Sequence, residues 1–149
     1  MTRDEALERA GAARVGRIAT VRPDGTPHVV PVVFALVIDD DDVRVYWAVD
    51  AKPKRTTELV RIENLRANPA AELVVDAYDE DWSRLWWVRL LGTGRVVDDP
   101  AERRSAREAL ERKYEQYRMT PPPGDVIAIH AAAVTSWAAW DAEVPPPQA

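Results

Sequence analysis

Gly16-Arg17-Ile18-Ala19-Thr20-Val21-Arg22-Pro23-Asp24-Gly25-Thr26-Pro27-His28-Val29-Val30-Pro31-Val32 is the stretch on which the fold turns. Its first six residues favour extended backbone and read as a strand. Arg22-Pro23-Asp24-Gly25 then supplies the fixed φ of proline and the positive-φ freedom of glycine that a tight reversal needs. The next segment, from about His28 to Ile38, is almost wholly apolar, which predicts a second strand buried on both faces and completes a hairpin. A strand with two apolar faces needs a second surface besides its own core.

Working outward, Thr2 followed by Glu5 is a capping-box pattern and predicts a short helix to about Gly11. Downstream, Asp39 to Asp42 is a run of carboxylates without the spaced ligands and glycine of a calcium loop, so no metal is expected there. Val43 to Val49 reads as a third strand. From about Lys54 to Ala67, Leu59, Ile62 and Leu65 recur at helical spacing, and Asn68-Pro69 stops that helix. Ala71 to Ala77 and Leu85 to Val97 read as further strands, with Gly92 and Gly94 marking a kink or bulge. Pro100 to Tyr117 reads as a charged amphipathic helix. Val126 to His130 and Ala133 to Trp140 read as one or two final strands, before the proline-rich tail of residues 143–149. Six or so strands with few helices predict a mainly β chain, a closed antiparallel barrel in a single domain spanning 1–142.

The 149 residues suffice for one core, and 46% hydrophobic with 30% charged residues is globular composition. The absence of cysteine removes disulfide scaffolds, thiolate nucleophiles and most zinc sites, and fits a cytoplasmic protein. The charged start lacks the apolar core of a signal peptide, and no run of about 18 apolar residues suggests a membrane span. A net charge of −5 argues against a nucleic-acid partner.

Against that acidic background, Lys52, Lys54, Arg55, Arg61 and Arg66 face only Glu58 and Glu63 within their segment. Lys52-Pro53-Lys54-Arg55 lies between a strand and a helix start, where unpaired backbone N–H groups and basic side chains favour a phosphate. On spacing alone the same run reads first as a solvated basic helix start. Trp82-Ser83-Arg84-Leu85-Trp86-Trp87-Val88-Arg89 offers an aromatic and cationic wall for a planar ring, or simply fills a barrel and an interface. His28 and His130 have no cysteine or serine-and-acid partners in sequence, read as partly exposed strand residues, and support neither a triad nor a zinc centre.

Three segments, in order, resemble the pyridoxamine phosphate oxidase-like split β-barrels: the hairpin Gly16 to Val32, the run Lys52-Pro53-Lys54-Arg55 leading to Arg61-Ile62-Glu63-Asn64-Leu65-Arg66-Ala67-Asn68-Pro69, and Leu91-Gly92-Thr93-Gly94-Arg95-Val96. Asp50 to Arg55 and Trp82 to Arg89 are most similar to the actinobacterial group of that superfamily described as F420-dependent oxidoreductases. The resemblance implies a six-stranded antiparallel split β-barrel of the FMN-binding type, working as a homodimer with a small-molecule substrate. It implies the deazaflavin F420, or alternatively FMN, in a groove between subunits. The ring would lie near Ile18, Ala19, Thr20, Val21, Val30, Pro31 and Val32. Lys52, Lys54, Arg55 and Arg61 would take the phosphate, and Trp82, Arg84 and Trp87 would come from the partner or the rim. No individual catalytic residue is assigned. A flavin- or tetrapyrrole-storage protein without catalysis remains the alternative from another class.

Overall fold

The structure, a computed structural model, describes residues 1–49 and 56–141. The predicted N-terminal helix forms as α1 (Arg3–Ala12): Thr2 Oγ1 accepts from the Glu5 backbone N–H at 3.2 Å while Glu5 accepts from Thr2 N at 2.7 Å. β1 (Gly16–Val21) and β2 (Pro27–Val32) make the predicted hairpin, with Gly25 at φ +86° in its turn. The apolar run then breaks at Val33-Phe34. Its remainder is a separate strand, β3 (Ala35–Asp39), paired with β4 (Asp42–Ala48). The physical reason is Phe34, fully buried, whose backbone N–H and C=O bond a tyrosine side chain instead of a neighbouring strand.

α2 (Thr56–Ala67) ends where Asn68 caps Asn64 O at 2.7 Å, and Asn68 Oδ1 accepts from Ala70 N at 3.0 Å to start β5 (Ala70–Ala77). A 3-10 turn over Trp82–Arg84 leads into β6 (Trp86–Val96). α3 (Pro100–Lys113) starts under an Asp99 cap with proline in its first turn, and the predicted single helix breaks at Tyr114 into α4 (Glu115–Met119). Of the one or two strands expected at the C-terminal end, the structure has one, the long β7 (Val126–Ala138).

The strands form one antiparallel sheet in the order β2-β1-β5-β6-β7-β4-β3. The expected six-stranded closed barrel is thereby corrected to seven strands in an open sheet. β2 and β3 follow one another in the chain yet occupy its two edges, because the break at Val33-Phe34 interrupts what would otherwise be one strand. The β6–β7 ladder carries a bulge between Leu91 and Gly92. Only glycine fits there, since a Cβ on Gly92 would lie 1.7 Å from the His130 carbonyl oxygen.

Alternation along the strands separates two cores. Ile18, Val45, Trp47, Leu73, Val75, Val88, Leu90, Ile127 and Ile129 face the inner side, closed by Leu7 of α1 and by Ile62 and Leu65 of α2. Ala35, Tyr46, Val126 and Ala128 face the opposite side, covered by Ala106, Leu110, Tyr114 and Tyr117 of α3 and α4. α3 and α4 therefore cover the outer side of the β7-β4-β3 half. No described helix contributes to the outer side of β2, β1, β5 and β6.

Tyr114 ties the two halves together: its hydroxyl accepts from Phe34 N at 3.1 Å, and its single proton faces the carbonyls of Arg14 at 2.8 Å and Phe34 at 2.9 Å. Tyr114→Phe keeps the ring and strands the buried Phe34 N–H. The variant should lose about 1–3 kcal/mol of unfolding free energy in urea titration, and an unchanged midpoint would show that the hydroxyl contributes nothing.

Candidate functional site

The hairpin residues named for the cofactor divide by strand alternation. Ile18, Thr20 and Val32 are buried, Val30 shares their inner face through its pairing with Ile18, and Ala19, Val21 and Pro31 turn to the outer side. The second strand is not covered on both faces in the single chain, since Val29 is 60% exposed. Lys52, Lys54 and Arg55 lie outside the described residues.

On the inner side, the hairpin meets α2 through polar groups. Thr20 stands opposite His28, and Asn64 Nδ2 donates to Thr20 Oγ1 at 3.0 Å, all three side chains being buried. His28 was expected to be partly exposed. It is 8% exposed, because its strand position pairs it with inward-facing Thr20. Its Nδ1 has no hydrogen-bond partner among the described residues. Burial, and then the charges of Arg22 and Arg61, hold the imidazole below its ordinary value of 6.5. Arg61 is itself buried, so the same helix that carries Asn64 also carries a buried cation.

On the outer side, Trp87 of β6 stands opposite Trp137 of β7 and Asp76 of β5. Arg89 lies 6.0 Å from the Trp87 ring centroid and pairs with Glu72, and Arg17 pairs with Asp76. These ion pairs are largely accessible and each contributes little to stability. Their placement matters more: Glu72 stands between Ala19 and Leu91 in the cross-strand register, with the exposed Val29 beyond Ala19 on one side and the 47% exposed Leu91 on the other. The buried Trp137 indole N–H has no acceptor.

Trp82 is 70% exposed on the turn before β6, and Arg84 beside it lies 3.4 Å from Asp79. Trp86 turns away from Trp87 and holds α1, with the Arg9 guanidinium 5.5 Å from its ring and 4.7 Å from that of Trp140. Ala77 pairs with Trp86, whereas Ala71 pairs with Thr20, so the tryptophan turn and the Thr20-His28-Asn64 cluster sit at opposite ends of β5. At a strand's rise that is roughly 20 Å. One chain therefore does not gather both constellations around one ligand.

Sequence reasoning missed Asn64, Glu72 and Asp76. Asn64 carried a signal, being a short polar residue one position from Leu65 on the apolar stripe of α2. The acids on β5 carried none, because their partners come from other strands. His130, alone in the sequence, stands 3.0 Å from Arg95 and 3.7 Å from Asp42. Arg95 in turn binds Glu102, which accepts the Tyr46 hydroxyl at 2.8 Å, so this network fastens α3 to the sheet. Among the described residues no group of His, Asp and Glu suited to a metal occurs.

The described outer side thus carries two tryptophans in cross-strand register, a guanidinium near one of them, and a buried indole N–H without an acceptor. The family description "Pyridoxamine 5'-phosphate oxidase" matches residues 2–138, and the chain belongs to that family. Its fold is shared by a conserved hypothetical protein of Mycobacterium tuberculosis, at TM-score 0.72 and 20% identity, covering 100% of this chain and 92% of the other. A conserved protein of unknown function from Corynebacterium diphtheriae follows at TM-score 0.69 and 24% identity, covering 93% and 94%. A FAD-binding protein from Mesorhizobium loti has TM-score 0.65 and 23% identity, covering 91% and 92%. No curated protein matches in sequence. No described helix is long and apolar enough to cross a membrane.

The depressed His28 pKa sets a direction for pH. Because the unfolded chain binds the proton more readily, His28 favours folding above about pH 6.5 and that contribution is lost as pH falls from 6.5 toward the lower folded value. Urea unfolding at pH 7 and 5.5 should show a fall in stability that His28→Gln flattens. Equal pH slopes in both proteins would remove His28 from the account.

Proposed function

We propose that the chain is a homodimeric oxidoreductase that binds F420 and transfers hydride between it and a small organic substrate. The observation that carries this reading is the uncovered outer side of β2-β1-β5-β6, where Val29 on β2 and Leu91 on β6 are exposed and Trp87 lies further along β6, opposite Trp137. An exposed apolar strip of this kind marks an interaction surface, and an obligate dimer buries on the order of 2,000 Å² or more. A second copy laid on it would bring one chain's Trp82, Arg84 and Trp87 toward the other chain's hairpin, relieving the separation of roughly 20 Å within a chain.

The chemistry is that of the cofactor, a two-electron hydride carrier when bound. Around it, Lys52, Lys54 and Arg55 ahead of α2 hold the phosphate, with Arg61 and the helix start adding positive charge. Ala19, Val21 and Pro31 give the ring a flat apolar wall. Closing of two subunits over the groove would exclude water, and the protein would supply orientation and a dry pocket instead of an acid-base pair. F420 is preferred on the likeness of Asp50 to Arg55 and Trp82 to Arg89 to the F420-dependent group. FMN in the same groove is the second reading, storage of a flavin or tetrapyrrole the third. A cytosolic setting belongs with all three.

Parallel titration of the apo-protein with F420 and FMN, followed by tryptophan quenching, should give tighter binding of F420 by a species of twice the chain mass in light scattering. Lys54→Ala should weaken binding by about 1.5 to 3 kcal/mol, the range for a hydrogen bond to a charged group. Unchanged affinity for both cofactors would overturn the phosphate assignment. Tight binding with no acceleration of reduced-cofactor oxidation over a broad acceptor panel would favour storage.

A further inference from the structure

A groove of about 470 Å³ runs where edge strand β3 passes between the end of α1 and the last turn of α3. It shares no residue with β1, β2 or the Trp82 to Arg89 segment. Leu36, Val37, Ile38 and Ala109 supply apolar walls, and its charged residues are Arg112 and Lys113, with no carboxylate among the lining.

Lys113 is unusual there. Its ammonium nitrogen is buried without a hydrogen-bond partner, 4.0 Å from the Phe34 ring centroid and 5.5 Å from that of Tyr114. The carbonyls that a lysine at a helix end would ordinarily engage are already taken. Tyr114 N bonds Leu110 O at 2.9 Å, Arg118 bonds Glu111 O at 2.9 Å and Arg112 O at 3.3 Å, and Arg14 bonds Lys113 O at 2.7 Å. Glu111, the nearest acid along α3, lines a different cleft with Arg104 and Arg107. Burial, and then the Arg14 charge, push the Lys113 amine down to about 8. A buried cation with no oxygen partner is unfavourable for the fold by itself, whereas a carboxylate brought by a ligand would satisfy it. A perturbed cation lining a cleft is the kind of group that binding sites retain.

We propose that this groove binds an organic monocarboxylate with an apolar tail, its carboxylate received by Lys113 and Arg112 and its tail lying along Leu36, Val37 and Ile38. The four-carbon stem of lysine lets the ammonium turn from the Phe34 ring toward the groove. The apolar walls distinguish this ligand from an inorganic anion. The missing carboxylate in the lining distinguishes it from an amine.

Calorimetric titration with octanoate tests the assignment, with octylamine and inorganic phosphate as controls and Lys113→Met as the variant that keeps the stem and removes the charge. Octanoate should bind with a Kd no weaker than about 1 mM, a modest ligand interaction. Lys113→Met should weaken it at least about tenfold, as loss of a charge-assisted bond predicts, while F420 and FMN titrations stay as in the parent. Near-ultraviolet circular dichroism of the variant should match the parent, since an uncharged residue relieves a buried cation. Octanoate that fails to bind, binds equally to Lys113→Met, or is matched by octylamine or phosphate overturns the proposal. Because the cofactor titrations are read separately, failure here leaves the redox reading standing, and the reverse holds too.

Discussion

The antiparallel pairing of β6 with β7 is the constraint on which the rest of the molecule depends. These two strands are the longest in the sheet, and the bulge at Leu91/Gly92 lets them bend as they pair. The bend needs a backbone approach so close that no side chain fits at Gly92. One end of β7 pairs with β4 and takes its outer cover from α3, while the other carries Trp137 alongside Trp87. A single ladder thus divides the outer surface into a covered half and a bare half. The bare half is the surface to which the proposed function assigns a cofactor and a second subunit.

The polar groups follow that division. Inside, Thr20, His28 and Asn64 join the hairpin to α2 where the side chains are buried, so the neutral imidazole is favoured over the charged one. Outside, Arg17 with Asp76 and Arg89 with Glu72 stand in water and act as a frame more than as a source of stability. At the far edge, Tyr114 secures the corner between β2 and β3 by meeting the backbone groups of Phe34. Those backbone groups would otherwise be buried without partners, which explains why a tyrosine closes this corner.

Much of the architecture was legible because it rests on local chemistry. The Thr2-Glu5 cap, the Pro23 to Gly25 reversal, the Asn68-Pro69 stop and the helix start at Pro100 each specify backbone geometry within a few residues, and each formed where the pattern placed it. The break at Val33-Phe34 was not legible. An unbroken apolar run looks the same whether it is one strand or two, and the difference lies in a hydroxyl on Tyr114, 80 residues away. Strand count and openness of the sheet inherited that error.

What the sequence determined by itself was therefore most of the strands and helices, the family and the chemical character of the basic and aromatic segments, since periodicity, caps and turns act over short distances. Tertiary structure alone decided which residues share a face. Strand alternation sent Ile18, Thr20 and Val32 into the core and left Ala19, Val21 and Pro31 outside, and sheet order set the tryptophan turn at the opposite end of β5 from His28. It also left Lys113 buried without an acceptor. Faces and enclosures of this kind arise when distant segments pack, and no local pattern encodes which partner will arrive.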